Sequence, residues 1–279
     1  MTVVRGGTLE VAAREPGLAA LVSALDRHDA LVVAFSGGAD SAFLAYVARA
    51  VLGSRSWCAT AVSPSLAPSE LADVRALAAE WDLQLVELPT DELDDPAYVR
   101  NDSDRCFHCK SALMRAVGPV AAAEGATVAL GVNVDDLSDH RPGQRAAAEG
   151  GAVFPLVEAG LDKAEVRRLS QLLGLRTWDK PAAACLASRL PQGTAVTIGT
   201  LAAVAAAEAA VRALGFRQVR VRHYGELARV ELPLPDLERA LRIRTDLVTA
   251  VKDAGYRFVT LDLEGFRSGS LNPIAGGSS

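Results

Sequence analysis

The chain has 279 residues, half of them hydrophobic, with four cysteines and a formal net charge of −5. That length can bury one large core or two medium ones; the net charge gives no general attraction for nucleic acid, and no apolar run reaches the roughly 18 residues of a membrane span. The N-terminus lacks a basic segment followed by an apolar core and a small-residue cleavage site, so a secretory signal is not expected and the cytoplasm is the expected location.

Residues 1–30 read as a lead-in and a helix from about Leu18 to Arg27. Leu31 to Ser41, LVVAFSGGADS, is an apolar run that breaks into Ser36-Gly37-Gly38 and then Asp40-Ser41. Phe43, Leu44, Tyr46, Val47, Ala50 and Val51 then recur at helical spacing, which predicts strand, glycine turn and helix. Two adjacent glycines let backbone N–H groups turn toward one anion, and the helix aims its positive N-terminal end at the same point. This is a phosphate cradle, but it is not the lysine form GxxxxGK[ST], so ordinary γ-phosphate transfer is not expected. SGGxDS resembles the PP-loop of the ATP pyrophosphatase superfamily, whose members cut ATP between the α and β phosphates. The resemblance implies that Ser36, Gly37, Gly38, Asp40 and Ser41 bind ATP and pyrophosphate, with Asp40 on Mg²⁺.

Trp57 to Val62 reads as a second strand with Cys58 as a buried spectator. Pro64 to Pro68 is expected to be irregular, with Ser69 as N-cap of a helix through about Trp81. Leu83 to Leu88 is a third strand. The alternation predicts an α/β fold, a doubly wound parallel sheet whose ligands lie beyond the carboxyl ends of the strands. A polar segment, Thr90 to Arg105, leads into Arg105-Cys106-Phe107-His108-Cys109-Lys110 and a helix through about Glu124. A fourth strand, Thr127 to Val132, delivers Asn133, Asp135, Asp136 and Asp139 onto a loop. Carboxylates this close repel one another unless a cation or polar ligand relieves them, so Asn133 and Asp136 are candidate contacts to the nucleotide or its Mg²⁺. The bland alternative is a solvated acidic turn.

Asp162 is placed to cap a helix through about Leu173, with Gly174 as its stop. Thr177 to Arg189 has no clean period yet holds Trp, Asp, Lys, Cys, Ser and Arg, a content that suits a site better than a linker. From about Ala195 an alanine-rich helix is expected to Leu214, then two strands within Gln218 to Val230 about a turn near Gly225. A helix from Asp236 to Ala254 and a strand, Phe258 to Leu263, complete a smaller α+β domain. The expected division is 1–192 for the loop-bearing domain and 193–279 for the C-terminal one, with Gly269 to Ser279 frayed.

Seven segments, SGGADS, RCFHCK, GVNVDDLSDHRPG, PLVEAGLDKAEVR, WDKPAAACLASR, VRVRHYGELARVEL and GFRSGSLN, together resemble one family within that superfamily. This is the LarE family of ATP-dependent sulfur transferases, which help build the nickel-pincer nucleotide cofactor of lactate racemase. The resemblance runs from about residue 15 nearly to the end of the chain. It implies that ATP activates a carboxylate of a pyridinium dicarboxylate mononucleotide as an acyl-adenylate, with release of pyrophosphate. A sulfur nucleophile then displaces AMP and leaves a thiocarboxylate.

Two sulfur sources are known in that family. In one, a single cysteine at the position of Cys185 gives up its own sulfur and ends as dehydroalanine. In the other, three cysteines hold a [4Fe-4S] cluster whose open iron carries an extra sulfide. A CxxC pair, Cys106 and Cys109, plus the distant Cys185 suits the cluster, since thiolates are the usual iron–sulfur ligands. Structural zinc with His108 is a lesser alternative. Ser188 and Arg189 are expected to hold substrate or favour the Cys185 thiolate. Arg220 and Arg222 alternate along one strand and can clamp the mononucleotide phosphate, with Glu231 in the same pocket or on a metal ion. The resemblance also implies a sulfide donor and a homo-oligomer, with a hexamer expected. Competing readings are another PP-loop activity, such as tRNA thiolation or amide formation, and a sensor that binds ATP without cleaving it.

Overall fold

The computed structural model describes residues 7–8, 10–12, 14–138, 142–180 and 184–267. Asp139, Pro181 to Ala183 and the glycine- and serine-rich tail lie outside the described residues. The chain divides into two units, one comprising Met1–Ser63, Glu70–Glu92 and Asp104–Ala183, the other Pro64–Ser69, Leu93–Ser103 and Ala184–Ser279.

The first unit is built on a parallel sheet of β1 (Leu31–Ala34), β2 (Ser56–Val62), β3 (Gln84–Pro89) and β4 (Thr127–Leu130), in the order β3-β2-β1-β4. Val33 pairs with Cys58 on one side and Ala129 on the other. Leu31, Val32 and Val33 are fully buried, as expected for a strand covered on both faces. Leu31 and Val33 join one apolar cluster, while Val32 joins the opposite one with Ala59, Val117, Val128 and Leu130. Each such side chain contributes about 1.5–3 kcal/mol by leaving water.

Helices α1 (Pro16–Asp26), α2 (Ala39–Leu52) and α3 (Pro68–Glu80) alternate with the first strands. Ser69 lies inside α3 and is not its N-cap. The helix opens at Pro68 instead, because proline's fixed φ and missing N–H suit a first helical position. The polar segment after β3 contains a short helix, α4 (Pro96–Arg100), capped by Asp95, whose carboxylate accepts from the Ala97 N–H at 2.8 Å. It is followed by α5 (Arg105–Ala123), α6 (Pro142–Glu149), α7 (Pro155–Glu158) and α8 (Lys163–Leu172). Asp162 caps α8 as its position suggested, accepting from the Glu165 N–H at 2.7 Å.

The strand order carries the functional geometry. The chain proceeds outward from β1 to β2 and β3, then returns to the other side of β1 for β4. The carboxyl ends of β1 and β4 therefore diverge at the switch point, where open α/β sheets bind their ligands.

The second unit contains α9 (Ile198–Ala213) and a sheet of β5 (Arg220–Tyr224), β6 (Leu227–Glu231) and β7 (Phe258–Leu261), in that order. β5 and β6 are antiparallel about Gly225, which has φ +65°, and β6 and β7 are parallel. The single helix expected between β6 and β7 is two, α10 (Leu237–Arg242) and α11 (Arg244–Asp253), broken where Ile243 leaves helical geometry at φ −104°, ψ 28°. Among the described residues no helix is long and apolar enough to cross a membrane.

Candidate active site

Ser36 to Ser41 leave β1 and enter α2 as a closed turn. The Ser36 N–H donates to Ser41 Oγ at 3.3 Å, the Gly38 N–H to Ser36 Oγ at 3.4 Å, and the Ser41 hydroxyl to the Gly38 carbonyl at 3.2 Å. Ser36 Oγ and Ser41 Oγ lie 3.0 Å apart, so the two serines hold each other across the glycines. Gly37 has φ +69°, and a Cβ there would sit 2.9 Å from Val74 Cγ2, so both backbone and space require glycine. Gly131, just after β4, approaches the first turn of α2 so closely that a Cβ would lie 2.8 Å from Ser41 N. Its role is not apparent from the sequence, where it reads as one more glycine at a strand end.

On the β4 side, Asn133 and Asp136 are buried and hydrogen-bonded reciprocally, each backbone N–H donating to the other's side chain at 3.3 and 3.2 Å. The expected loop contains a 3₁₀ turn, Val134–Ser138. Lys163 Nζ lies 3.0 Å from Asp136 Oδ1, and the Lys163 N–H donates to Asp135 at 3.0 Å. Burial raises the Asp40 pKa above its ordinary value and the charge of Asp136 adds to this; Asn133, Lys163 and Arg167 oppose the shift without cancelling it. The two carboxylates thus lie near enough to repel one another at the switch point. A divalent cation there would relieve their repulsion, and carboxylate oxygens are the ligands Mg²⁺ takes.

Cys106 and Cys109 lie in the first turn and a half of α5, one turn apart on the same side, with Cys106 exposed and Cys109 half-buried. Helix α6 packs against this turn at Gly143, where a Cβ would meet the Cys106 carbonyl oxygen at 3.0 Å. Arg145 from α6 stacks over Phe107 at 4.9 Å. Among the described residues no three His, Cys, Asp or Glu side chains are assembled as a ready metal site, so the CxxC pair by itself offers two thiolates. Cys58 is a buried thiol in β2, its pKa pushed up to about 12 chiefly by burial.

Cys185 belongs to the second unit, half-buried at the head of a 3₁₀ turn, Leu186–Arg189. Arg189, itself buried, straps this turn down. Its Nη1 donates to the carbonyl of Ala184 at 2.7 Å, to that of Cys185 at 3.3 Å and to Ser188 Oγ at 3.0 Å. Its other edge grips Glu208 on α9, Nε to Oε1 at 2.8 Å and Nη2 to Oε2 at 3.2 Å. Glu208 also accepts from Arg212 at 2.9 Å and from the Val221 N–H at 3.1 Å.

Arg220 and Arg222 do share one face of β5, but their surroundings differ. Arg222 donates to the Ser188 carbonyl at 2.8 Å and pairs with the fully buried Glu231 at 2.9 Å. Arg229 reaches Glu231 Oε1 at 2.9 Å. The Arg220 side chain stacks over Phe266 at 4.5 Å and makes no hydrogen bond or ion pair among the described residues. Burial first, then the charges of Arg189 and Arg222, bring its pKa down to about 10. A guanidinium can hold an anion by two parallel N–H···O bonds. Sequence reasoning passed over Glu208, yet it is the one charged residue on the apolar stripe of Leu201, Val204, Ala207 and Val211, and that was the available signal.

No family model matches the chain. Among known proteins, it is 45% identical over 249 residues to an uncharacterised protein of Synechocystis sp., covering 88% of this chain and 93% of that one. It is 24% identical over 243 residues to an uncharacterised protein of Methanocaldococcus jannaschii, covering 87% of this chain and 92% of that one. It is 38% identical over 256 residues to the pyridinium-3,5-bisthiocarboxylic acid mononucleotide synthase of Lactiplantibacillus plantarum, covering 91% of this chain and 93% of the synthase. The parallel sheet with its glycine loop at the switch point agrees with that likeness, and the chain belongs to the LarE family of sulfur transferases.

Proposed function

We propose that this protein adenylates a carboxylate of pyridinium-3,5-dicarboxylate mononucleotide with ATP and replaces oxygen with sulfur to give the thiocarboxylate. The single observation that carries the reading is Cys185 on a turn strapped by Arg189, in a unit whose Arg220 is a buried cation awaiting an anion. A carboxylate resists attack until one oxygen becomes part of a good leaving group. Its attack on the α-phosphorus therefore comes first and expels pyrophosphate; sulfur then attacks the acyl carbon and AMP departs with the former carboxylate oxygen.

In this scheme Ser36, Gly37, Gly38 and Ser41, with the N-terminal end of α2, receive the phosphates. Asp40 takes Mg²⁺, with Asn133 and Asp136 shaping the same corner. Arg220 binds the mononucleotide phosphate, while Arg222, paired with Glu231, braces the Ser188 turn through its carbonyl. Changing Arg220 to Ala is expected to weaken binding of the mononucleotide by about tenfold or more. The same change leaves the melting temperature unchanged or raised, because it removes a like-charge neighbour of Arg189 and Arg222. Calorimetry on the purified variant reads both quantities, and wild-type affinity would remove Arg220 from the site.

Cys106 and Cys109, a helical turn apart at a helix N-terminus and outside any disulfide, would supply two thiolates to a [4Fe-4S] cluster, and Cys185 would supply the third. When bound, such a cluster supplies a replaceable sulfide at its open iron. The second reading is sacrificial donation by Cys185, favoured by its being free and half-buried on a fixed turn. Iron and acid-labile sulfide analysis after anaerobic purification separates them. About four irons per chain, lost in Cys106→Ala, is the expected result. Iron-free protein that still transfers sulfur, losing H₂S from Cys185 by mass, would establish the second reading. A sulfide donor, a homo-oligomer of six chains and a reducing cytoplasmic setting belong to the same proposal.

A further inference from the structure

The glycine loop has no lysine of its own, yet one stands beside it. A Cβ built on Gly37 would lie 3.8 Å from Lys180 Nζ. Lys180 arrives from far along the chain, two residues after Trp178 and five before Cys185. Its ammonium is held by Glu70 Oε2 at 3.0 Å and Asp73 Oδ2 at 2.5 Å, both on α3. The three side chains are only 19%, 28% and 27% exposed, so the cation is partly desolvated.

The two carboxylates are not equivalent. Asp73 has a second cation, Arg176, whose Nη1 donates to its other oxygen at 2.8 Å while Nε donates to Glu80 at 2.8 Å. Burial works to raise the Asp73 pKa, and the hydrogen bonds from Lys180 and Arg176 outweigh it, holding the carboxyl below its ordinary value. If Lys180 turned away, Asp73 would keep Arg176. Glu70 has Lys180 alone among the described residues. Lysine is a compact charge on a flexible four-carbon stem with three donors, well suited to exchange one oxygen ligand for another nearby. An anion seated against the Gly37 turn would come within the reach of that stem. Left without Lys180, the same anion would face two carboxylates instead.

We propose that Lys180 is the phosphate-binding lysine of this loop: on nucleotide binding its Nζ leaves Glu70 and donates to an oxygen of the β or γ phosphate. It stays with that oxygen as pyrophosphate departs, offsetting the charge that develops on the leaving group. The role rests on the reading that the loop takes ATP, and it supplies from a distant segment the cation that GxxxxGK[ST] loops carry within themselves.

The test is calorimetric titration of the full-length protein with ATP, inorganic pyrophosphate and AMP. Lys180→Met is expected to weaken ATP and pyrophosphate by about tenfold or more and to leave AMP nearly unchanged, since AMP lacks the β and γ phosphates. Lys180→Arg keeps the charge and is expected to recover most of the affinity, which also controls for a folding defect. The double variant Lys180→Met/Glu70→Gln removes the unscreened carboxylate and is expected to stay weak. Wild-type pyrophosphate affinity in Lys180→Met would overturn the assignment, as would full recovery in the double variant, which would make Lys180 a mere screen for Glu70. Failure of the wild-type protein to bind ATP or pyrophosphate at all would instead overturn the nucleotide reading itself.

Discussion

Replacing Cys185 with Ala is expected to lower thiocarboxylate formation by at least about a thousandfold while pyrophosphate release from ATP continues. The two half-reactions draw on different residues. Adenylation needs the serine-glycine loop, Asp40 and the bound mononucleotide, none of which the substitution touches. Sulfur delivery needs Cys185 under either source, as the donor itself or as a cluster ligand. The fold should survive, because the turn around Cys185 is fixed through backbone: Arg189 holds the carbonyls of Ala184 and Cys185, and the Ser188 N–H donates to the Cys185 carbonyl at 2.9 Å. Only a half-buried sulfur is lost. Assays of pyrophosphate release and of thiocarboxylate by mass would show the split. Undiminished product in the variant would remove Cys185 from the chemistry.

Replacing Glu208 with Gln is expected to cost about 3–5 kcal/mol of stability, a large share of what a domain has. The carboxylate is fully buried and accepts from Arg189, Arg212 and the Val221 N–H. Glutamine keeps the shape but withdraws the negative charge, and its NH₂ group must face a guanidinium. Arg189, Arg220 and Arg222 would then share Glu231 as their remaining buried counter-charge, and Arg220 already carries a pKa lowered to about 10 by burial and by the other two. Urea unfolding measures this directly, with a lower midpoint and an unchanged slope expected. Near-wild-type stability would show that the arginine cluster does not depend on Glu208.

Elements whose signals are local were legible in the sequence. The run Leu31 to Ser41 announced strand, turn and helix because hydrophobic period and glycine placement change together there. Asp162 announced a cap, and Gly225 a hairpin, for equally local reasons. The misreadings have local causes too. Pro68 looked like a breaker, although proline is at home in a helix's first turn, and α4 is too short to show a period. Ile243 interrupts an otherwise continuous helical pattern without glycine or proline to mark it.

The site divides along the same line. Residue types that bind phosphate or sulfur could be named, but not their partners, because pairing is a property of the fold. Arg220 and Arg222 look alike at alternate positions of one strand; only tertiary structure gives Arg222 to Glu231 and Ser188 and leaves Arg220 unpaired. Lys180 lies about 110 residues from Glu70 along the chain, a separation across which sequence pattern carries no information.

The reaction proposed for this protein is ATP-dependent exchange of oxygen for sulfur on a pyridinium carboxylate. The most direct measurement incubates the anaerobically purified protein with pyridinium-3,5-dicarboxylate mononucleotide, ATP, Mg²⁺ and sulfide, and follows the mononucleotide by mass spectrometry alongside AMP and pyrophosphate. The expected product has one sulfur in place of one oxygen and forms in step with equal amounts of AMP and pyrophosphate. An unchanged mononucleotide mass while ATP is converted to AMP and pyrophosphate, or no pyrophosphate at all, would contradict it.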